Sequence, residues 1–129
     1  MKKDNNESVQ DFIKRKNVYF KKNRIIKVKD IGRKGNHFFF REAWTFLPQS
    51  NLDEKVFIIE RLRKENYEGH LARQKQWKKG DIEYRIGYYI VGRIGRVKGR
   101  WVWGQFCPFI PAEDLKNLLR KAEKEGTIL

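Results

Sequence analysis

The chain has one cysteine, Cys107, among 129 residues. A lone thiol forms no intramolecular disulfide, and it leaves a thiolate metal site without a second ligand of its kind. Histidine is almost as scarce. His37 and His70 do not stand at the spacing of a zinc-binding His-Glu-x-x-His helix, and neither is placed beside an obvious nucleophile. The longest apolar runs, residues 56–59 and 88–91, are far too short to cross a bilayer. The opening MKKDNNESVQ lacks the apolar stretch of a secretory signal, so the expected location is cytoplasmic. No cofactor motif is present: Ile31-Gly32-Arg33-Lys34-Gly35 lacks the Gly-Lys-Ser/Thr ending of a phosphate-binding loop.

Positive charge is what the chain has in excess. Thirty Lys and Arg face 16 Asp and Glu, for a net charge of +14. Such a field attracts polyanions, with DNA or RNA first among them. The residues are also 40% hydrophobic and 14% aromatic, which is enough to bury a core and excludes a disordered chain. The length suits one domain, expected over residues 8–129 behind a frayed polar end at 1–7.

Residues 81–111 carry the strongest pattern. Ile82, Tyr84, Ile86, Tyr88 and Ile90 alternate with Glu83, Arg85, Gly87, Tyr89 and Val91, which is the period of a half-buried strand. A second aromatic run follows at 100–107, after the basic turn Arg96-Val97-Lys98-Gly99. A four-residue turn sets Gly92 opposite Trp103 and Val91 opposite Gly104, with the indole covering bare glycine backbone. In that register Tyr88, Ile90, Ile94, Trp101 and Trp103 face the core. Arg85, Tyr89, Arg93 and Arg100 face solvent.

The same reasoning gives the other elements. Ser8 with Asp11 caps a short helix with Val9, Phe12 and Ile13 inward, closed by Lys14-Arg15-Lys16. Residues 17–30 and 37–46 read as strands joined by a basic glycine turn, and Pro48 ends the second. Ser50 and Asp53 mark a helix start, and Leu52, Val56, Ile59 and Leu62 fit its stripe. The run at 56–59 also fits a strand. Residues 66–79 give no clear pattern. After Pro111, Leu115, Leu118, Leu119 and Ala122 define a helix with Gly126 beyond its end. The fold class is therefore α+β: an antiparallel sheet of four or five strands from two hairpins, each followed by a helix packed on the sheet, with a short N-terminal helix. An offset of 63 residues sets Ile31-Gly32-Arg33 on Ile94-Gly95-Arg96 and Phe46-Leu47-Pro48 on Phe109-Ile110-Pro111. This suggests a duplicated hairpin-helix unit at 17–66 and 80–126. Two unrelated segments with similar needs would give the same order.

The function expected from these features is non-catalytic nucleic-acid binding. Arg33, Lys34, Arg85, Tyr89, Arg93, Arg96, Lys98 and Arg100 are the candidate contacts, because guanidinium groups fork onto phosphates and exposed aromatics stack on bases. The alternative is a protein-interaction or assembly module using an aromatic sheet face or edge, with a protein partner or a homodimer. A third reading is a small metal-dependent nuclease built on His37, Glu42, Asp81 and Glu83. Arg85 stands where such a site wants a lysine, and arginine is a poor base.

Overall fold

Val56, Phe57, Ile58 and Ile59 leave no polar residue to mark an outside, and all four are buried. A strand covered on both faces has this composition, because alternate side chains enter two different cores. The computed structural model describes residues 7–29, 35–68 and 78–129, and that strand lies at the centre of its sheet. Helix α1 (Val9–Lys22) leads to β1 (Ile25–Lys29), β2 (Asn36–Pro48), β3 (Lys55–Glu68), β4 (Ile82–Val91), β5 (Trp101–Trp103) and helix α2 (Ala112–Lys124). The strands pair antiparallel in chain order. The fold is α+β, with one helix on each face of the sheet.

On the first face Phe12 and Phe20 of α1 pack with Phe46, Val56, Ile58, Tyr89 and Trp101. Phe12 stacks on Trp101 at 4.7 Å and Phe20 on Phe46 at 6.0 Å. The indole N–H of Trp101 donates to the carbonyl of Glu7, tying the chain ahead of α1 to the edge strand. On the second face Leu118 and Ala122 of α2 pack with Phe57, Ile59 and Tyr88. Gly126, at φ 79°, ends α2, and the N–H groups of Thr127 and Ile128 both return to the carbonyl of Ala122. The Thr127 hydroxyl then meets that of Thr45 at 2.8 Å.

Four expectations change. The helix expected from Ser50 to Leu62 is a turn followed by β3. Ser50 caps nothing of its own; its N–H and hydroxyl donate to Asp114 in the first turn of α2. The first hairpin is thus followed by a strand, not a helix, and residues 17–66 and 80–126 do not share an element order. Helix α1 runs six residues beyond Lys16, which removes residues 17–22 from the expected strand at 17–30. Its Ser8 cap is as expected, with the Asp11 N–H donating to Ser8 Oγ at 3.1 Å. Of the expected frayed end only Glu7 is described, and its carboxylate takes two hydrogen bonds from Arg15. Much of the basic turn at 31–36 and of the segment at 66–79 lies outside the described residues.

The fourth change is the register of the central hairpin. Tyr89 faces Trp103 and Val91 faces Trp101, three residues away from the expected pairing. The connection is longer than four residues: Gly92 N–H donates to Arg100 O, and a single 3-10 turn spans Gly95–Val97. Tyr89, Trp101 and Trp103 therefore share the α1 face with Arg85, while Tyr88 and Ile90 face α2. An indole does cover a glycine, but the glycine is Gly87, where a Cβ would collide with the Trp103 ring.

Leu118 is fully buried and Leu115 is substantially exposed. Leu118→Ala should destabilise the protein by about 2–5 kcal/mol in urea denaturation, and Leu115→Ala by under about 1 kcal/mol. Equal losses would mean that α2 does not dock on the face described.

Candidate nucleic-acid interface

Strand β3 stays apolar up to Glu60, which follows Val56 and Ile58 onto the α1 face with no solvent exposure. A carboxylate there needs charged partners, since an unpaired buried charge is prohibitive. Two arginines supply them. Arg41 Nε donates to Glu60 Oε2 at 2.8 Å, and Arg85 Nε donates to Oε1 at 2.9 Å. Arg85 stands directly opposite Glu60 in the β3–β4 register. Arg41 arrives by a different route. Trp44 and Phe46 set the alternation of β2, which would bring residue 42 to this face. A β-bulge between Arg41 and Ala43 shifts the phase by one. Arg41 thus reaches Glu60, and its guanidinium lies 3.7 Å over the Phe20 ring. Glu42 goes to the opposite face and accepts hydrogen bonds from Arg61 and Arg63. The Arg63 and Arg61 guanidiniums hold its carboxyl below the ordinary range, against the opposing effect of burial.

Around the Glu60 triad, whose Arg85 is itself partly exposed, lies a partly open surface. Lys16, half-buried on α1, sits 5.0 Å from the Tyr89 ring and 5.6 Å from that of Phe20. It has no carboxylate partner among the described residues. Burial lowers its pKa first, with Arg15 and Arg41 adding repulsion. Trp103 remains 37% exposed. Its ring covers Gly87, meets Tyr89 edge-on at 5.0 Å and holds the Arg85 guanidinium at 4.8 Å. A partly exposed indole thus packs against a fixed arginine, at the margin of a net-positive face.

The expected contact residues divide into three groups. Arg85 belongs to this face. Tyr89 lies beneath it, 8% exposed, so its ring is a wall of the core and not a stacking surface. Arg93, Arg96, Lys98 and Arg100 are exposed at the end of the sheet. They stand roughly 25 Å along the direction of β4 from Arg85 at the usual rise per residue. Arg93 is bound to Glu54. Arg96, Lys98 and Arg100 have no acidic partner among the described residues. Arg33 and Lys34 lie outside the described residues. The residues singled out for a nuclease do not converge. Glu42 faces α2, His37 is buried on β2, and Glu83 faces the other way, 3.4 Å from Lys64. Asp81 is exposed and has the strand parity of Glu83; the chain's other histidine, His70, lies outside the described residues. No metal-binding group of His, Cys, Asp and Glu occurs among the described residues.

Sequence reasoning missed Lys16, Arg41, Glu60 and Trp103. A usable signal existed for Glu60: once residues 55–68 are read as a strand, its parity matches Val56 and Ile58. It is then an acid at a core position. Trp103 was expected in the core, and it stays 37% exposed although Gly87, Tyr89 and Arg85 all lie against its ring.

Glu60→Ala leaves two guanidiniums without their counter-charge and should cost about 3–5 kcal/mol in denaturant unfolding. A cost below about 1 kcal/mol would show that the triad does not hold the face together. Tyr89 supplies an alkaline test. Burial, reinforced by the Glu60 charge, pushes its phenol up to about 12. A phenol whose pKa is higher folded than unfolded resists ionising only in the native state. Its contribution is intact below about pH 10 and is lost as pH rises toward 12. That loss should reach about 2–3 kcal/mol, and Tyr89→Phe should remove this part of the pH dependence. Parallel pH profiles for the two proteins would refute it. The chain matches no family model, no curated protein and no solved structure.

Proposed function

We propose that this protein is a non-catalytic nucleic-acid-binding domain that takes single strands of DNA or RNA. The observation that carries the reading is Trp103, partly exposed and backed by Arg85 on a face with more cations than acids. A base stacking on that indole would lie beside a guanidinium already fixed by Glu60, so little side-chain entropy is lost on binding. Arg96, Lys98 and Arg100 form a second, exposed cationic surface at the sheet end, suited to phosphates and indifferent to sequence. Arg93 drops from the leading contacts because Glu54 already occupies it.

The two surfaces make separable contributions. Trp103→Ala should weaken binding to a labelled single strand by about 1–3 kcal/mol, with a smaller effect on a duplex. Replacing Arg96, Lys98 and Arg100 with alanine should flatten the log–log salt dependence of affinity by up to about 3. Titrations at several salt concentrations, with circular dichroism as a folding control, measure both. If the wild type binds neither strand nor duplex at low salt, the reading fails. If Trp103→Ala binds a single strand as the wild type does, the stacking role fails.

A further inference from the structure

The β5 strand covers only the last part of β4, pairing with residues 89–91. Backbone direction along β4 is fixed by its hydrogen bonds. The Asp81 carbonyl and the Val91 N–H turn toward β3, while Tyr88 and Gly92 bond on the β5 side. Odd residues therefore face β3 and even ones face away. The N–H and C=O groups of Ile82, Tyr84 and Ile86 thus point out of the sheet, with no strand against them among the described residues. Such an edge is a template for strand addition. It is bounded on one side by the turn at Gly80, whose φ is 97°, and on the other by Gly104, whose N–H takes the Tyr88 carbonyl. Gly80 and Tyr88 are equally far in sequence from Tyr84, so the open window is centred on that residue.

We propose that a second copy of this chain fills the edge, pairing β4 antiparallel with β4 about a two-fold axis at Tyr84. Charge selects this register. Outward-facing even residues must oppose one another. Centring the axis on Glu83 sets two carboxylates face to face, and centring it on Arg85 sets two guanidiniums face to face; like charges directly opposite are unfavourable. Centring on Tyr84 sets Glu83 opposite Arg85 of the second copy, twice by symmetry, and Ile82 opposite Ile86. Arg85 uses its Nε on Glu60, which leaves its terminal nitrogens for a second carboxylate. Ile86 and Tyr84 are both about two-fifths exposed, so the pairing covers apolar surface as well. The interface is isologous and closed.

Sedimentation equilibrium of the full chain, in salt that screens the repulsion between two strongly basic proteins, should give twice the chain mass. Glu83→Arg should return it to the chain mass with an unchanged circular dichroism spectrum. A second test does not depend on that variant folding. In a Cys107→Ser background, Tyr84→Cys should form an intermolecular disulfide under mild oxidation, because paired Cα atoms lie about 5.5 Å apart. Ile82→Cys should not, since its copies lie roughly 13 Å apart along the strands. The chain mass at every concentration overturns the proposal. So does a folded Glu83→Arg dimer, or cross-linking of Ile82→Cys as readily as Tyr84→Cys.

Discussion

The α1 face rests on a buried carboxylate shared between two guanidiniums. Glu60 has no solvent exposure, so Arg41 and Arg85 must both be in place to offset the cost of burying its charge. That demand reaches outward in three directions. It gives the bulge in β2 a role, since only a phase shift turns Arg41 inward. It anchors the end of α1, because Arg41 also donates to the carbonyl of Asn23 while lying over Phe20. It fixes Arg85 beside Trp103, giving the exposed indole a rigid cationic neighbour. A hydrophobic residue at 60 would fill the space, but it would leave the two arginines without their shared counter-charge.

The opposite face uses polar contacts of another kind. Asp114 receives the Ser50 N–H and hydroxyl at one end of α2. At the other end Arg61 donates to the carbonyls of Gly126 and Thr127. Between them the apolar pair Leu118 and Ala122 rests on Phe57, Ile59 and Tyr88. The helix is thus located by its ends and held by its middle. Arg61 also bonds Glu42, the residue sent to this face by the bulge, so one backbone irregularity serves both layers.

Much of this was legible in the sequence where a local pattern suffices. The alternation of β4, the aromatic run of β2, the leucines of α2 and the Ser8 cap each follow from local periodicity or local hydrogen bonding. The failures share a cause, which is information held by a distant element. Strand β3 was read as a helix because a helix on each face makes its apolar run continuous, and a continuous run has no period. The second half of α1 was read as a strand because Val18, Tyr19 and Phe20 favour strands locally, while the burial of Phe20 against Phe46 is tertiary. The β4–β5 register depended on a 3-10 turn that composition does not announce. At the candidate site, the exchange of Arg41 for Glu42 comes from a bulge, and no pattern within β2 reveals it.

The order of the sheet has a kinetic side. Each strand pairs with its predecessor in the chain, so the sheet can grow by successive hairpins with short loop closures. The distant closures belong to the ends: Glu7 to Trp101, and Thr45 to Thr127. Because β3 is apolar on both faces, a sheet assembled before its helices would expose two greasy surfaces at once. The race between helix docking and encounter with another chain would then set how much protein reaches the native state, and dilution would favour folding.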